Sequence, residues 1–459
     1  MSADPVTITT TGPAPDALVT EAEYQAREAA RPPSGGGSSF GVTVTTEAAL
    51  REALPIGGRI HVNVKGVLPL AVPEVVKFTA PGTVLCGLGK NTTTLAIKEE
   101  NPNNVSFWTA AKNLTIEHIT LDSEFHTWHT VYGDCDSNPS GLLLDNIRIQ
   151  NCTDGWKYVG AIWAPPCLGL TFRNSEIINF KGRGAFIDCD VADLVIENFY
   201  LKGTGNDLQT NTGIWAGQGL LGGRIAHGKI EHCALNGLEL FYPQVYPTKS
   251  QLSRDNPFGA GMIISGLEIA DITNIACSLA GCKRCVVSDI HIRDSGAGME
   301  YIDEINHLDG VPIFSDYQAD NVTVARCSNV AVTIHMVKRG RFTNHVITDC
   351  ASFGCQIYNG ADEITFQNST LARCANGMLF LNGAHRTVIT GNEFLKTPGD
   401  PAIAGFHAFG GGPHIFSGNI LRGGLITTAD QASILTAPGV AASVVNGVFT
   451  DSHNYRFPA

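Results

Sequence analysis

Charge is scarce in this chain: Asp, Glu, Lys and Arg make up 16% of its 459 residues. Nor is there any apolar run of about 18 residues, the minimum for a membrane-crossing helix, so no membrane partner is expected. Basic residues are the scarcer sign, 31 Lys and Arg against 43 Asp and Glu, for a formal charge of -12. With no Lys/Arg-rich run either, a broad nucleic-acid-binding surface is not expected, and no nucleic-acid partner. The first residues, "MSADPVTITTTGPAPDALVTEAEYQ", have neither the basic start nor the apolar core of a secretion signal. The expected location is therefore cytoplasmic or virion-associated, or extracellular if a leader precedes this start.

Metal-ligand spacing is also missing. The 13 cysteines are spread along the chain, and "CSLAGCKRC" (Cys277, Cys282, Cys285) offers one C-x-x-C with no second pair. His126 and His129 lie three apart without a companion ligand. No metal and no cofactor are expected, and the cysteines read as reduced, buried, compact apolar residues.

Glycine is plentiful, at 50 residues, and it recurs in a pattern. "RCANGMLFLNGAH" (Arg373–His385) nearly repeats "DCASFGCQIYNGAD" (Asp349–Asp362). Aligning the segments after Gly160, Gly184, Gly213, Gly237, Gly298, Gly354 and Gly377, with Ala276 and Ala331 in place of glycine, gives a repeat every 22–39 residues. From Gly237 onward the first and third residues after the anchor are apolar and the second and fourth are mixed. Period-two alternation puts the former inside a strand and the latter outside. A unit of this length, repeated, buries its inner face against its neighbours only by stacking, which predicts a parallel β-solenoid of roughly 10 to 12 rungs. Residues 1–44, with a helical stretch from Val19 to Ala30, read as an arm and linker. Residues 45–421 read as the solenoid, and 422–459 as a C-terminal cap or oligomerisation segment. "TTEAALREAL" (Thr45–Leu54) predicts a short helix closing the N-terminal end.

The stretches "GGRIHVNVKG", "TVLCGLGKNTTTLAI" and "NLTIEHITLDS", with the later Asn/Asp…Cys/Asn…Gly rungs, resemble the pectate-lyase-like right-handed parallel β-helix superfamily over residues 45–420. That resemblance implies an all-β right-handed parallel β-helix. It also implies a carbohydrate-active enzyme or a phage tailspike, and a homotrimer in either case. It does not select an activity. Polygalacturonase-type hydrolases carry Asn-Thr-Asp and Gly-His-Gly, whereas this chain has "NTG" (Asn211–Gly213) and no Gly-His-Gly. The Asp cluster of calcium-dependent pectate lyases and the Tyr-Gly-Phe-Asp-Pro-His run of alginate epimerases are absent too.

The outward columns then carry the functional reading. The second position after each anchor reads Ile162, Phe186, Trp215, Glu239, Ser278, Glu300, Thr333, Gln356, Leu379. The fourth reads Ala164, Asp188, Gly217, Phe241, Ala280, Ile302, His335, Tyr358, Leu381. Glu239 and Glu300 stand two rungs apart, about 9.6 Å between backbones, which suits a general acid and a general base on either side of a glycosidic bond. Asp188 with Glu239 is the alternative pair. Trp215, Phe241, Tyr242, His335, Gln356, Tyr358, Asp303, Glu304 and Lys338 are the candidate substrate contacts. Two excursions, after Glu239 and after Glu300, are expected to wall the groove with Tyr246, Arg254, His307 and Tyr317; an earlier one brings His126, Trp128 and His129. The competing reading of each polar group is solvated solenoid surface.

The expected function is polysaccharide cleavage or rearrangement by paired carboxylates, hydrolysis first, because an acidic groove repels uronates. A tailspike depolymerase, a fructan-rearranging enzyme resembling inulin fructotransferases, and a polysaccharide lyase are the alternatives.

Overall fold

The computed structural model describes residues 41–459 apart from 101–102, 135–139, 160–166, 188–190, 206–210, 218–220, 242–259, 281–283, 303–315, 396–405, 410–413, 423–448, 453–454 and 457–459. The helical stretch read at Val19–Ala30 lies outside these residues, as do Asp188, Tyr242, Tyr246, Arg254, Asp303, Glu304 and His307. Of Phe241 only the backbone is described.

Strand Gly41–Val44 leads into the one helix among the described residues, Glu47–Ala53. Thr46 caps it by accepting the Ala49 amide at 3.2 Å. Glu47 in the first turn pairs with Arg51 at 2.9 Å and accepts the Ala71 amide at 2.7 Å. Leu50 and Ala53 turn inward and join the core, so the helix covers the first turn, as its sequence predicts. No helix among the described residues is long and apolar enough to cross a membrane.

Among the described residues every element after the helix is a strand, and every paired strand is parallel to its neighbour one turn away. Among the described residues the strands form a sheet of 13, from Val76–Phe78 to Phe406–Phe409, and a second ladder of 27. The core is a set of stacked columns. Leu85, Ile116, Leu144, Phe172, Ile196 and Ile225 lie in register and are fully buried. Each turn completes its neighbour's apolar face, the arrangement required when a single turn has no interior of its own.

Two local features explain the repeat. Three 13-residue strands, Val191–Gly203, Leu221–Cys233 and Ala260–Ile272, share a left-handed residue at the same register position: Asn198 (φ 50°), His227 (φ 53°) and Gly266 (φ 61°). Other turns use Asn146, Asn174, Asn344 and Asn368 with φ between 52° and 55°, and asparagine is among the few L-residues that take this conformation readily. Asn198 donates to the Asn174 carbonyl oxygen Oδ1 at 3.3 Å, so this column is also hydrogen-bonded along the axis.

The recurring glycine has a different cause. A Cβ at Gly213 would lie 2.5 Å from the Gly237 carbonyl oxygen, and one at Gly237 would lie 2.4 Å from that of Ala276. The next turn passes too close for a side chain.

The glycine alignment errs at both ends. Gly377 pairs with Phe353, not with Gly354, so Leu379 and Leu381 point inward and Phe380 and Asn382 outward. A one-residue slip exchanges the two faces of a strand. The rung assigned to Gly160 is formed by Asp154–Val159, which places Lys157 rather than Ile162 beside Phe186. His129–Asp134, taken for part of an excursion, is likewise a regular strand of the 13-stranded sheet.

Nine cysteines are buried and outside any disulfide. The thiols of Cys350 and Cys374 donate to the carbonyls two residues back, Thr348 at 3.3 Å and Ala372 at 3.5 Å. Burial pushes the Cys233 thiol up to about 12. Cys277 and Cys285 are core residues, and Cys282 lies outside the described residues.

Candidate functional site

From Phe186 to Gln356 the outward column stands as the alternation requires. Phe186, Trp215, Glu239, Ser278, Glu300, Thr333 and Gln356 are consecutive register partners. Glu239 and Glu300 therefore project from one face with Ser278 between them, two strand spacings or about 9.6 Å apart at the backbone.

Glu239 is half-buried, and that burial raises its carboxyl pKa above the usual range against two opposing influences. One is the Asn236 amide, which donates to Glu239 Oε2 at 2.7 Å. The other is the charge of Arg183. Asn236 is held in turn, its Oδ1 accepting from Asn274 Nδ2 at 3.1 Å and from the Ile275 amide at 3.2 Å. Glu300 accepts from the Ser278 hydroxyl at 3.3 Å.

Arg183 was not among the expected residues. Its Cζ lies 3.1 Å from the centre of the Trp215 ring, so a guanidinium covers one face of the indole that was expected to stack sugar. Its backbone amide is fastened to Asp154 Oδ1 at 2.7 Å. The site thus includes a cation, which weakens the argument that charge alone excludes acidic substrates. Sequence signals for Arg183 and Asn236 were available: each lies three residues before a member of the column, Arg183 on the turn leading into its strand and Asn236 at the first position of its own.

Beyond Glu300, His335 and Tyr358 occupy the parallel outward column as expected. Their rings stack at 4.5 Å with 1° between planes, and Asn359 Nδ2 lies 3.0 Å from His335 Nε2. Gln356 is part-exposed beside Thr333. Two expected contacts are placed elsewhere. Lys338 begins a strand of the other ladder, where its ammonium donates to the Gly360 carbonyl. Tyr317 is buried in the core, its hydroxyl donating to the Leu279 carbonyl at 2.8 Å, because the strand carrying it places that position inward.

The column also extends further than the sequence alignment reached. Toward the N-terminus Lys77, Trp108, Tyr132 and Lys157 continue it in register. Among the described residues no cluster of three or more His, Cys, Asp or Glu is arranged to hold a metal ion.

A family model described as a right-handed β-helix region matches residues 256–421 and 309–452. The fold is a right-handed β-helix. Among solved structures, it is similar to a catalytic domain of GH87 α-1,3-glucanase in complex with tetrasaccharides, with 13% identity and a TM-score of 0.54 over 85% of this chain and 70% of that one. The catalytic unit of the thermostable GH87 α-1,3-glucanase from Streptomyces thermodiastaticus strain HF3-3 gives 12% identity and a TM-score of 0.50, covering 93% and 70%. The pre-mature gene product 12 of bacteriophage phi29 gives 13% and 0.52, covering 88% of this β-helix and 57% of that chain. At such identities the likeness is one of fold. No curated protein matches in sequence.

Proposed function

We propose that this β-helix is a glycoside hydrolase acting on a polysaccharide, with Glu239 as general acid and Glu300 as general base. The observation that carries the reading is the pairing itself: a half-buried carboxyl with a raised pKa stands in one outward column with a second carboxylate two strands on. A general acid must hold its proton near the working pH, and burial away from water achieves that. Glu239 protonates the departing glycosidic oxygen while Glu300 removes a proton from the attacking water. Separations of about 6.5–9.5 Å between carboxyl groups belong to inverting chemistry, and two strand spacings approach that range. Arg183 restrains the acid's pKa, and Asn236 fixes the direction of its carboxyl group.

The test is a polysaccharide panel with products read by mass spectrometry and ultraviolet absorbance. Products carrying one added water support hydrolysis. Absorbing unsaturated ends replace it with a lyase, and anhydro-disaccharides with fructan rearrangement. A second reading, a tailspike or receptor-binding depolymerase, draws support from the fold likeness to the phage protein. Binding of a glycan without cleavage favours it over the enzyme.

A further inference from the structure

The carboxylates occupy only the middle of their column, and its N-terminal part is aromatic. Trp108 and Tyr132 are register partners on adjacent strands. Their ring centres are 5.0 Å apart at 64° between planes, an edge-to-face pair. Neither ring serves the core, which is filled at these turns by Phe107 and Val131, both inward and buried. Both rings are half-exposed on the outer face. Trp128, at the lead-in to the same strand as Tyr132, is 63% exposed. Lys77 stands 5.4 Å from the Trp108 ring centre and makes no ion pair among the described residues. Solvent-facing indoles on a regular scaffold, with polar groups at their edges, have the composition of a carbohydrate platform.

We propose that Trp108 and Tyr132, with Trp128 at the rim and Lys77 at the far end, form a second glycan-binding platform. Trp108 lies five strands from Glu239 in the same column, about 24 Å along the axis. The ligand class that reaches both is a polymeric glycan lying lengthwise on the sheet. The proposal rests on the carbohydrate reading of the Glu239 site. The rings stack on the apolar faces of the sugars, and Lys77 donates to a hydroxyl or a carboxylate of the same chain.

The experiment is affinity electrophoresis of the Glu239→Gln/Glu300→Gln protein through gels containing neutral glucans or polyuronates, alone and with Trp108→Ala, Trp128→Ala or Lys77→Ala added. The expected result is retardation by at least one polymer and a loss of about tenfold in affinity on removing Trp108, the scale of one well-placed aromatic contact. Trp108→Phe should recover most of it, and trisaccharides should bind all variants equally. A Lys77→Ala effect confined to polyuronates assigns a carboxylate partner; an equal effect on neutral chains assigns a hydroxyl. The proposal is overturned if no polymer retards the protein, or if Trp108→Ala and Trp128→Ala leave retardation unchanged. If polymer binding depends on Trp108 but the wild-type protein cleaves nothing, the hydrolase reading fails and the platform stands.

Discussion

Asn236 donates its side-chain amide to Oε2 of Glu239 at 2.7 Å while the following turn holds its carbonyl oxygen. The proposed acid is thus aimed by the scaffold and not by its own rotamer alone. The donation favours the ionised carboxylate and so opposes burial, the dominant influence on this group.

Removing that donor in Asn236→Ala should raise the Glu239 pKa further. A general acid is active when protonated, so the basic limb of the kcat/KM profile should move to higher pH. Arg183→Ala should move it the same way. A limb that stays in place in both variants removes Glu239 from the acid role.

Glu239→Gln should abolish turnover, about 10²–10⁴-fold for loss of a general acid, without loss of stability. The folded-state pKa of Glu239 is raised, so the native protein binds the proton more tightly than the unfolded chain. Stability therefore falls as pH rises from the unfolded pKa through the folded one, and the deficit persists at neutral pH. A neutral amide escapes it, so the Tm of Glu239→Gln at pH 7 should equal or exceed that of the parent. Glu300→Gln should lose turnover as well. Full activity in both variants would falsify the site.

His345 lies inside the solenoid, where burial lowers its pKa to about 4. The unfolded chain takes up a proton near 6.5 that the native state refuses until the pH reaches about 4. Stability contributed by the neutral imidazole is intact above the unfolded pKa and is lost as pH falls through that window. The loss amounts to roughly 3 kcal/mol when complete. Thermal melts from pH 7 to 4 should show a decline in Tm that is shallower in His345→Asn; identical slopes would contradict it.

Gly237→Ala places a methyl group 2.4 Å from the Ala276 carbonyl oxygen. Overpacking of this kind costs about 1–3 kcal/mol, and here it also displaces the strand bearing Glu239. The expected outcome is a lower urea midpoint together with reduced kcat. A wild-type midpoint would mean that the turns separate easily.

The middle of the column was legible because the recurring glycine marks a steric constraint of stacking, and alternation then places the outward residues without further information. From Phe186 to Gln356 no register shift intervenes. At Gly377 the anchor sits one residue out of step, and the apparent apolar end of the outer face, Leu379 and Leu381, is core. Trp108 and Tyr132 were missed because their strands carry no glycine at the anchor position. Arg183 and Asn236 were missed because they stand three residues from the column member they serve, Arg183 on the turn before its strand and Asn236 at the first strand position, and so fall outside the column's period-two alternation.

Each strand meets its partners one turn away in sequence, so the ladder has few contacts between distant parts of the chain. Such an array opens from its ends, turn by turn, at a cost set by single interfaces and not by the whole molecule. The Trp108 strand stands nearer the N-terminal end than the strands of Glu239 and Glu300. Fraying from that end takes apart the grip on a long chain while the carboxylates are still assembled, so capacity for polymer is lost before capacity for chemistry.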